Sequence, residues 1–399
     1  MTLNRPLFYK LAFSTMLFSL PLQAAHAQDA NAVAERFKQL MAVQSMDLKW
    51  SSASGDASKM VLDGVTFSAP GEKETFPIGK LTFEGVSEEN GGYKIETIST
   101  EPYHITQDKA VIDVSAMTFS GVKLPAANAT DPLASLLMYD SAQIASVGVK
   151  MADKQVFSLS NMSIDVTPPA DGKPMEFTGS AEKFSADLTG IEDPQSKVII
   201  EGLGYQNING YFEMAGSWQP SDGRMALSQY DVTVENAGTL GMKFDFGGYT
   251  LAFVKSLQDM QKKMAEQPAG ADNSAQGLAM LGLMQQLTFH GANIRFDDDS
   301  LTGKVLNYVA KQQGMQPKDI ANQAKAIVPF LTAQLNNPDL SGQITAAVNK
   351  YLDNPQSLEI VAAPASPVPF AMIAAGAMSA PTELPKTLGV TVKANEDGQ

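Results

Sequence analysis

The chain contains no cysteine. That absence excludes disulfides, thiol nucleophiles, thiolate metal sites and lipidation at an N-terminal cysteine. A chain of 399 residues without crosslinks is held by its core alone, which 44% hydrophobic residues can supply. Histidine is nearly as scarce: His26, His104 and His290 are the three it has. There is no Gly-x-Ser-x-Gly elbow and no His-Glu-x-x-His pair. Gly202-Leu203-Gly204 lacks the third glycine of a phosphate cradle, and no Walker motif occurs. Basic residues are outnumbered, 29 against 43 acidic, for a net charge of −14. Such a chain repels phosphate backbones and anionic headgroups, so nucleic-acid binding and polybasic membrane docking are disfavoured. Long hydrophobic runs are also missing after the first 27 residues. The best candidate, residues 367–378, includes two prolines and falls well short of the roughly 20 residues of a membrane span.

The first 27 residues are the most informative segment. Arg5 and Lys10 precede an apolar run from position 11 to 22, and Ala25-His26-Ala27 offers a small-x-small cut site. This pattern predicts a cleaved secretory signal peptide, a mature chain starting at Gln28, no retained transmembrane anchor, and a periplasmic location. The removed segment holds two basic and no acidic residues, so the mature charge is −16.

Two regions follow. Residues 28–250 are expected to form an antiparallel β-rich region with a leading helix, and 251–399 a mainly helical region whose late strands complete the sheet. Over 29–46, Val33, Phe37, Leu40 and Met41 fall on one helical face. Residues 80–86, 93–99, 110–122, 155–166, 197–203 and 224–235 alternate apolar with polar, as half-buried strands do. Turn clusters such as Glu89-Asn90-Gly91-Gly92 and Pro220-Ser221-Asp222-Gly223 separate them. A short helix is expected near 131–144, with Pro132 in its first turn. After Thr250 the spacing is helical at 251–266, 301–313, 317–335 and 339–352, and Pro329 is expected to kink or divide the third of these. Strands return at 288–296, 357–362 and 388–394. The fold class is therefore α+β, a long twisted antiparallel sheet with a C-terminal helical layer packed on it.

One string echoes within the sheet. LTFEGV at 81–86 recurs as MTFSGV at 117–122 and LTFHGA at 287–292. Phe and its flanking apolar residue share a face, and the glycine permits a bulge.

No catalytic, cofactor or metal residue is assigned. After cleavage only His104 and His290 would remain, and His290, inside the strand echo, reads as a satisfied histidine, since no nucleophile or orienting acid can be assigned to it. The Ser-x-x-Lys strings at 120–123 and 180–183 lack the companion motifs of penicillin-binding enzymes. Asp297-Asp298-Asp299 fails the spacing of a Ca²⁺ loop and reads as a helix cap, with Asp299 or Ser300 satisfying free amides. Met260, Met264, Met280, Met284 and Met315 cluster beside helical leucines, as core filling or as a deformable apolar groove.

The strings FDDDSL (296–301), AKQQG (310–314) and YLDNPQSL (351–358), residues 364–369 and the WQPSDG turn (218–223) resemble exported bacterial proteins of unknown function. Those proteins are distantly similar to the AsmA-like envelope group. The resemblance implies a long curved antiparallel sheet, and its larger members are implicated in moving lipid between membranes. Together these readings predict a non-enzymatic periplasmic protein that binds an apolar ligand, acyl lipid being one candidate, or supports envelope maintenance. Phe67, Phe83, Phe119 and Phe289 are the expected apolar ligand face. The alternative is a structural module docking another envelope protein.

Overall fold

Alternating sequence becomes antiparallel pairing over most of the chain. The computed structural model describes residues 29–44, 46–68, 75–170, 172–265 and 274–396. The expected signal peptide, its cut site, residues 267–273 and the last three residues lie outside that set, as does the side chain of Met264.

Helix α1 (Ala30–Val43) opens the described chain, its first turn capped by Asp29, whose carboxylate accepts from Asn31 N at 2.9 Å. Strands β1 (Asp47–Lys49), β2 (Ser52–Asp56), β3 (Lys59–Ser68), β4 (Phe76–Glu89) and β5 (Gly92–Thr100) follow. Next come β6 (Tyr103–Gln107), β7 (Ala110–Val114), β8 (Met117–Leu124), β9 (Ser141–Met151), β10 (Lys154–Thr167) and β11 (Met175–Asp187). After α2 (Pro194–Leu203) the sheet resumes as β12 (Asn207–Gln219), β13 (Arg224–Val234) and β14 (Gly238–Gly247). The C-terminal part holds α3 (Leu251–Ala265), α4 (Ser274–Met284), β15 (Thr288–Asp298), α5 (Leu301–Gln313), α6 (Pro317–Ala333) and α7 (Pro338–Asp353). It ends with β16 (Ser357–Ala362), β17 (Val368–Pro369), α8 (Phe370–Ser379), α9 (Leu384–Thr387) and β18 (Val390–Ala394).

Among the described residues all eighteen strands belong to one sheet, and every pairing is antiparallel. From β8 the order is sequential to β15: each strand pairs with the next. Beyond β15 the late strands β16 and then β18 extend the same sheet. The expected α+β class, a long antiparallel sheet with helices packed on it, is the observed one.

Two local expectations are corrected, and the one at Pro329 is narrowed. Residues 197–203 are helical: Asp193 accepts from Ser196 N at 2.8 Å, Pro194 starts the first turn, and Gly204 closes the helix at φ +77. Those end signals outweigh a short apolar alternation. Residues 131–144 hold only a single turn at Pro132–Ser135; the chain is extended at Leu136 and enters β9 at Ser141. Helix α6 runs through Pro329 undivided.

The glycines of the echo carry a structural role. Gly85 and Gly121 have φ of +66 and +65, and Gly64 of β3, outside the echo, has +65, a conformation that glycine adopts without strain. The pairing register shifts beside Gly64, and at Gly85 the left-handed residue re-aims the strand without a shift, so Phe83 and Val86, three residues apart, are both buried. A Cβ on Gly121 would lie 2.0 Å from the Asp140 carboxylate. Asn161, between Ser160 and Met162 of β10, is likewise left-handed at φ +51. The third copy differs: Gly291 is not left-handed, so the repeated string does not imply a repeated conformation.

The main core lies at the N-terminal end, where Val33, Phe37 and Leu40 of α1 pack on Leu48, Met60, Leu62, Phe83, Ile95, Val122 and Leu124. Phe37 meets Phe83 edge-to-face at 5.6 Å.

Candidate functional site

Residues directly opposed in an antiparallel pair point to the same face, so the register identifies the face each strand shares with its neighbours. Met117, Ile144, Met162, Ala181 and Phe212 stand opposite one another across β8 to β12. The line continues through Val232, Leu240, Phe296, Leu358 and Ala394 to β18. Ten strands thus contribute one apolar residue each, over about 40 Å at the usual strand spacing. A parallel line runs through Val166, Phe177, Gly216, Leu227 and Phe244 to Ala292, Ala362 and Val390. Between the two lie Met242, Ile294, Ile360 and Val392. None of these positions holds a polar side chain.

The reverse face is polar. Asp231, Gly241, Arg295, Glu359 and Lys393 form one of its lines. Thr233 and Thr239 share a hydroxyl hydrogen bond at 2.8 Å, as do Ser158 and Ser185. Arg295 is forked onto Asp297, and Asn293 donates to the buried carboxylate of Glu359.

Helices cover the apolar face unevenly. α1 seals its N-terminal part. At one end of the later strands, Tyr249 packs on Trp218 and Phe246, and Phe253 of α3 packs on Tyr249. Phe370 of α8 sits edge-on to Phe246 at 6.4 Å and to Phe289 at 6.2 Å. At the other end, Ala347 and Tyr351 of α7 cover Phe296, Leu358 and Val392. Between these two caps the floor is open: Phe244 is 39% exposed, Leu240 41%, Ile294 42% and Ile360 45%. The arrangement is an apolar trough, walled by helices at both ends of its strands. A separate cleft of about 620 Å³ lies between α1 and α3, lined by Ala42, Val43, Leu136, Leu251 and Val254, with Lys255 and Asp259 among its polar groups. Its size is within the range of small-ligand sites.

The four phenylalanines expected on this face are all on it but not together. Phe83 is sealed beneath α1, and Phe67 and Phe119 are half-buried against the same core. Phe289 lies at the far end under α8. The open floor consists of residues not singled out from the sequence. A signal for them exists: in β14, Leu240, Met242, Phe244 and Phe246 alternate with Thr239, Gly241, Lys243 and Asp245.

His104 and His290 each have partners. His104 Nδ1 lies 2.6 Å from Asp113 Oδ1, and its Nε2 lies 3.2 Å from the Thr106 hydroxyl. Lys150 Nζ donates to the other Asp113 oxygen at 3.3 Å. His104 and Lys150 hold the Asp113 carboxyl below its ordinary range. The order hydroxyl–imidazole–carboxylate is that of a hydrolytic relay, but His104 and Asp113 are both exposed on a hairpin, where nothing excludes water. His290 accepts at Nδ1 from Arg224 at 2.7 Å, and its Nε2 lies 3.1 Å from the Thr288 hydroxyl. Asp245 takes the rest of the Arg224 guanidinium. Burial, then the Arg224 charge, pushes His290 below the usual imidazole range.

That shift has a sign. The unfolded chain binds the His290 proton more readily, so this stability term is present above about pH 6.5 and is lost as pH falls from there through the depressed folded value. The denaturation midpoint of the natural chain should therefore fall more between neutral and mildly acid pH than that of His290→Gln. Equal falls would show that His290 is not held neutral.

The acidic triplet is structural, as expected, but the cap comes from Asp298, whose carboxylate accepts from Thr302 N at 2.9 Å. Asp297 pairs with Arg295, and the Ser300 hydroxyl donates to Asn236 O. No group of three or more potential metal ligands occurs among the described residues. Of the methionines, Met260 is buried in the α3–α4 core and Met280 is exposed on α4.

The chain is similar to a family described as an uncharacterized protein, over residues 231–395. That stretch is less than half of the chain. It contains Leu240, Phe244, Ile294 and Ile360, and of the four expected phenylalanines only Phe289. No curated protein matches the chain.

Proposed function

We propose that this is a non-enzymatic periplasmic protein that holds an apolar ligand, an acyl lipid, on the open floor of its trough. The observation that carries this reading is the pair of uninterrupted apolar lines across the sheet, left uncovered at Leu240, Phe244, Ile294 and Ile360. Soluble proteins do not leave contiguous apolar surface of that extent without an occupant. The floor offers no donor, acceptor or charge, so it selects for hydrocarbon and leaves any headgroup at the rim. The N-terminal charged, apolar and small-residue pattern supports export to the periplasm, and the resemblance to AsmA-like envelope proteins supports lipid as the ligand class. His104 and His290 have no part in this function.

Native mass spectrometry of the protein purified without detergent, followed by solvent extraction, tests it. Acyl lipid in near-equimolar amount is the expected result. Repeated recovery of lipid-free protein would overturn the reading. A stable protein neighbour crosslinked in intact cells, with no co-purifying lipid, would favour the docking-module alternative.

A further inference from the structure

Helices α4 and α8 touch each other at one end of the trough, and their sequences, SAQGLAMLGLM and FAMIAAGAMS, contain no charged residue. Both are apolar all round rather than along one stripe, which in a soluble domain marks a fully buried helix. They are not buried. From Gly277 to Gly282 every residue of α4 is exposed, Leu278 at 72%; on α8, Met372 is 61% and Met378 80% exposed. Each helix is anchored from below by one side: Leu283 of α4 packs with Phe253, and Phe370 of α8 rests on Phe246 and Phe289 of the trough floor. The surface above is therefore fixed to a rigid sheet and continuous with the trough.

We propose that α4 and α8 form a membrane-contact surface that seats this end of the molecule on a lipid bilayer. Composition distinguishes a bilayer from a protein partner. A protein interface surrounds its apolar centre with a polar rim that makes hydrogen bonds, whereas these two helices carry no charged rim. Hydrocarbon asks only that charge be absent and that apolar side chains enter, and unbranched methionine adapts to such an environment. Neither helix is long enough to cross, so the contact is interfacial. With a net charge of −14, the protein gains nothing from anionic headgroups, so the attachment is apolar and not electrostatic. This surface does not depend on what the trough holds, although its position would let a ligand pass between the two.

Vesicle flotation with the full chain tests the proposal. The protein should float with phosphatidylcholine vesicles, equally well at high salt, and no better when phosphatidylglycerol is added. Leu278→Glu combined with Met372→Glu should weaken binding about tenfold or more, while Phe330→Glu, on the separate exposed stripe of α6, should not. The variants' lipid content by extraction reads the trough independently. Because the chain has no cysteine, Met378→Cys carrying a polarity-sensitive dye gives a second readout without adding charge. Its emission should shift to the blue on adding vesicles, whereas a dye at Ser228→Cys on the polar face should not respond. No flotation, flotation only with anionic lipid, flotation unchanged in the double variant, or a silent dye at position 378 would each overturn the proposal. So would a dimer that the double variant dissociates, since a second copy would then be the occupant.

Discussion

Phe83→Ala is expected to destabilise the protein by about 3–5 kcal/mol, the range for deleting a fully buried aromatic ring. Phe83 is 1% exposed, lies in the echo strand β4, and meets Phe37 of α1 edge-to-face. Truncation would leave a cavity between helix and sheet that Leu40, Leu62 and Ile98 cannot collapse to fill, since pairing with β3 on one side and β5 on the other fixes the strand. Phe244→Ala is the matched comparison. That ring sits on the same sheet face, but it is open to solvent, and its loss is expected to cost less than about 1 kcal/mol. Chemical denaturation of both variants reads the contrast. Similar losses would mean that the face is covered alike at both places, and the distinction between sealed core and open trough would fail.

The second large effect concerns binding. Phe244→Glu with Ile294→Glu places two carboxylates on the open floor, where a bound hydrocarbon would strip them of water. An unpaired polar or charged group in such a site costs about 3 kcal/mol or more, over a hundredfold in affinity. Stability should change little, because both positions are solvent-exposed without ligand. Tyr211→Glu, equally exposed but on the reverse face, should bind as the natural chain does. Displacement of a fluorescent fatty acid measures all three. Retained affinity in the double variant, at unchanged fold, would move the ligand elsewhere, with the α1–α3 cleft next in line.

Much of this architecture was legible in the sequence, and the misses have physical causes. Period-two alternation gave the sheet, because each strand has one apolar and one polar face, and the leading helix followed from Val33, Phe37 and Leu40 on one side. Residues 197–203 read as a strand because Val198, Ile199 and Ile200 have high strand propensity, yet they lie in the helix Pro194–Leu203. The Asp193 cap and Gly204 terminator decide that element, and both were visible. The candidate site was half legible. Choosing phenylalanines from a repeated string picks residues that share the sheet's apolar face, since echo residues are register partners: Phe83 opposes Ile98, which opposes Phe119. What alternation cannot show is which stretch of that face a helix covers. Coverage depends on where α1, α3, α7 and α8 land, which is set by pairs such as Phe370 with Phe246, far apart in sequence. The open residues Leu240, Phe244, Ile294 and Ile360 therefore look no different in sequence from the sealed ones.

Photo-crosslinking would locate the bound ligand. A fatty acid carrying a diazirine near its chain end would be loaded onto the purified protein, irradiated, and the labelled peptides mapped. Labels concentrated on β13 to β16, at Leu227, Phe244, Ile294 and Ile360, are the expected result. Labels confined to the α1–α3 cleft, or spread over the polar face, would contradict an open apolar floor as the place where this protein holds its ligand.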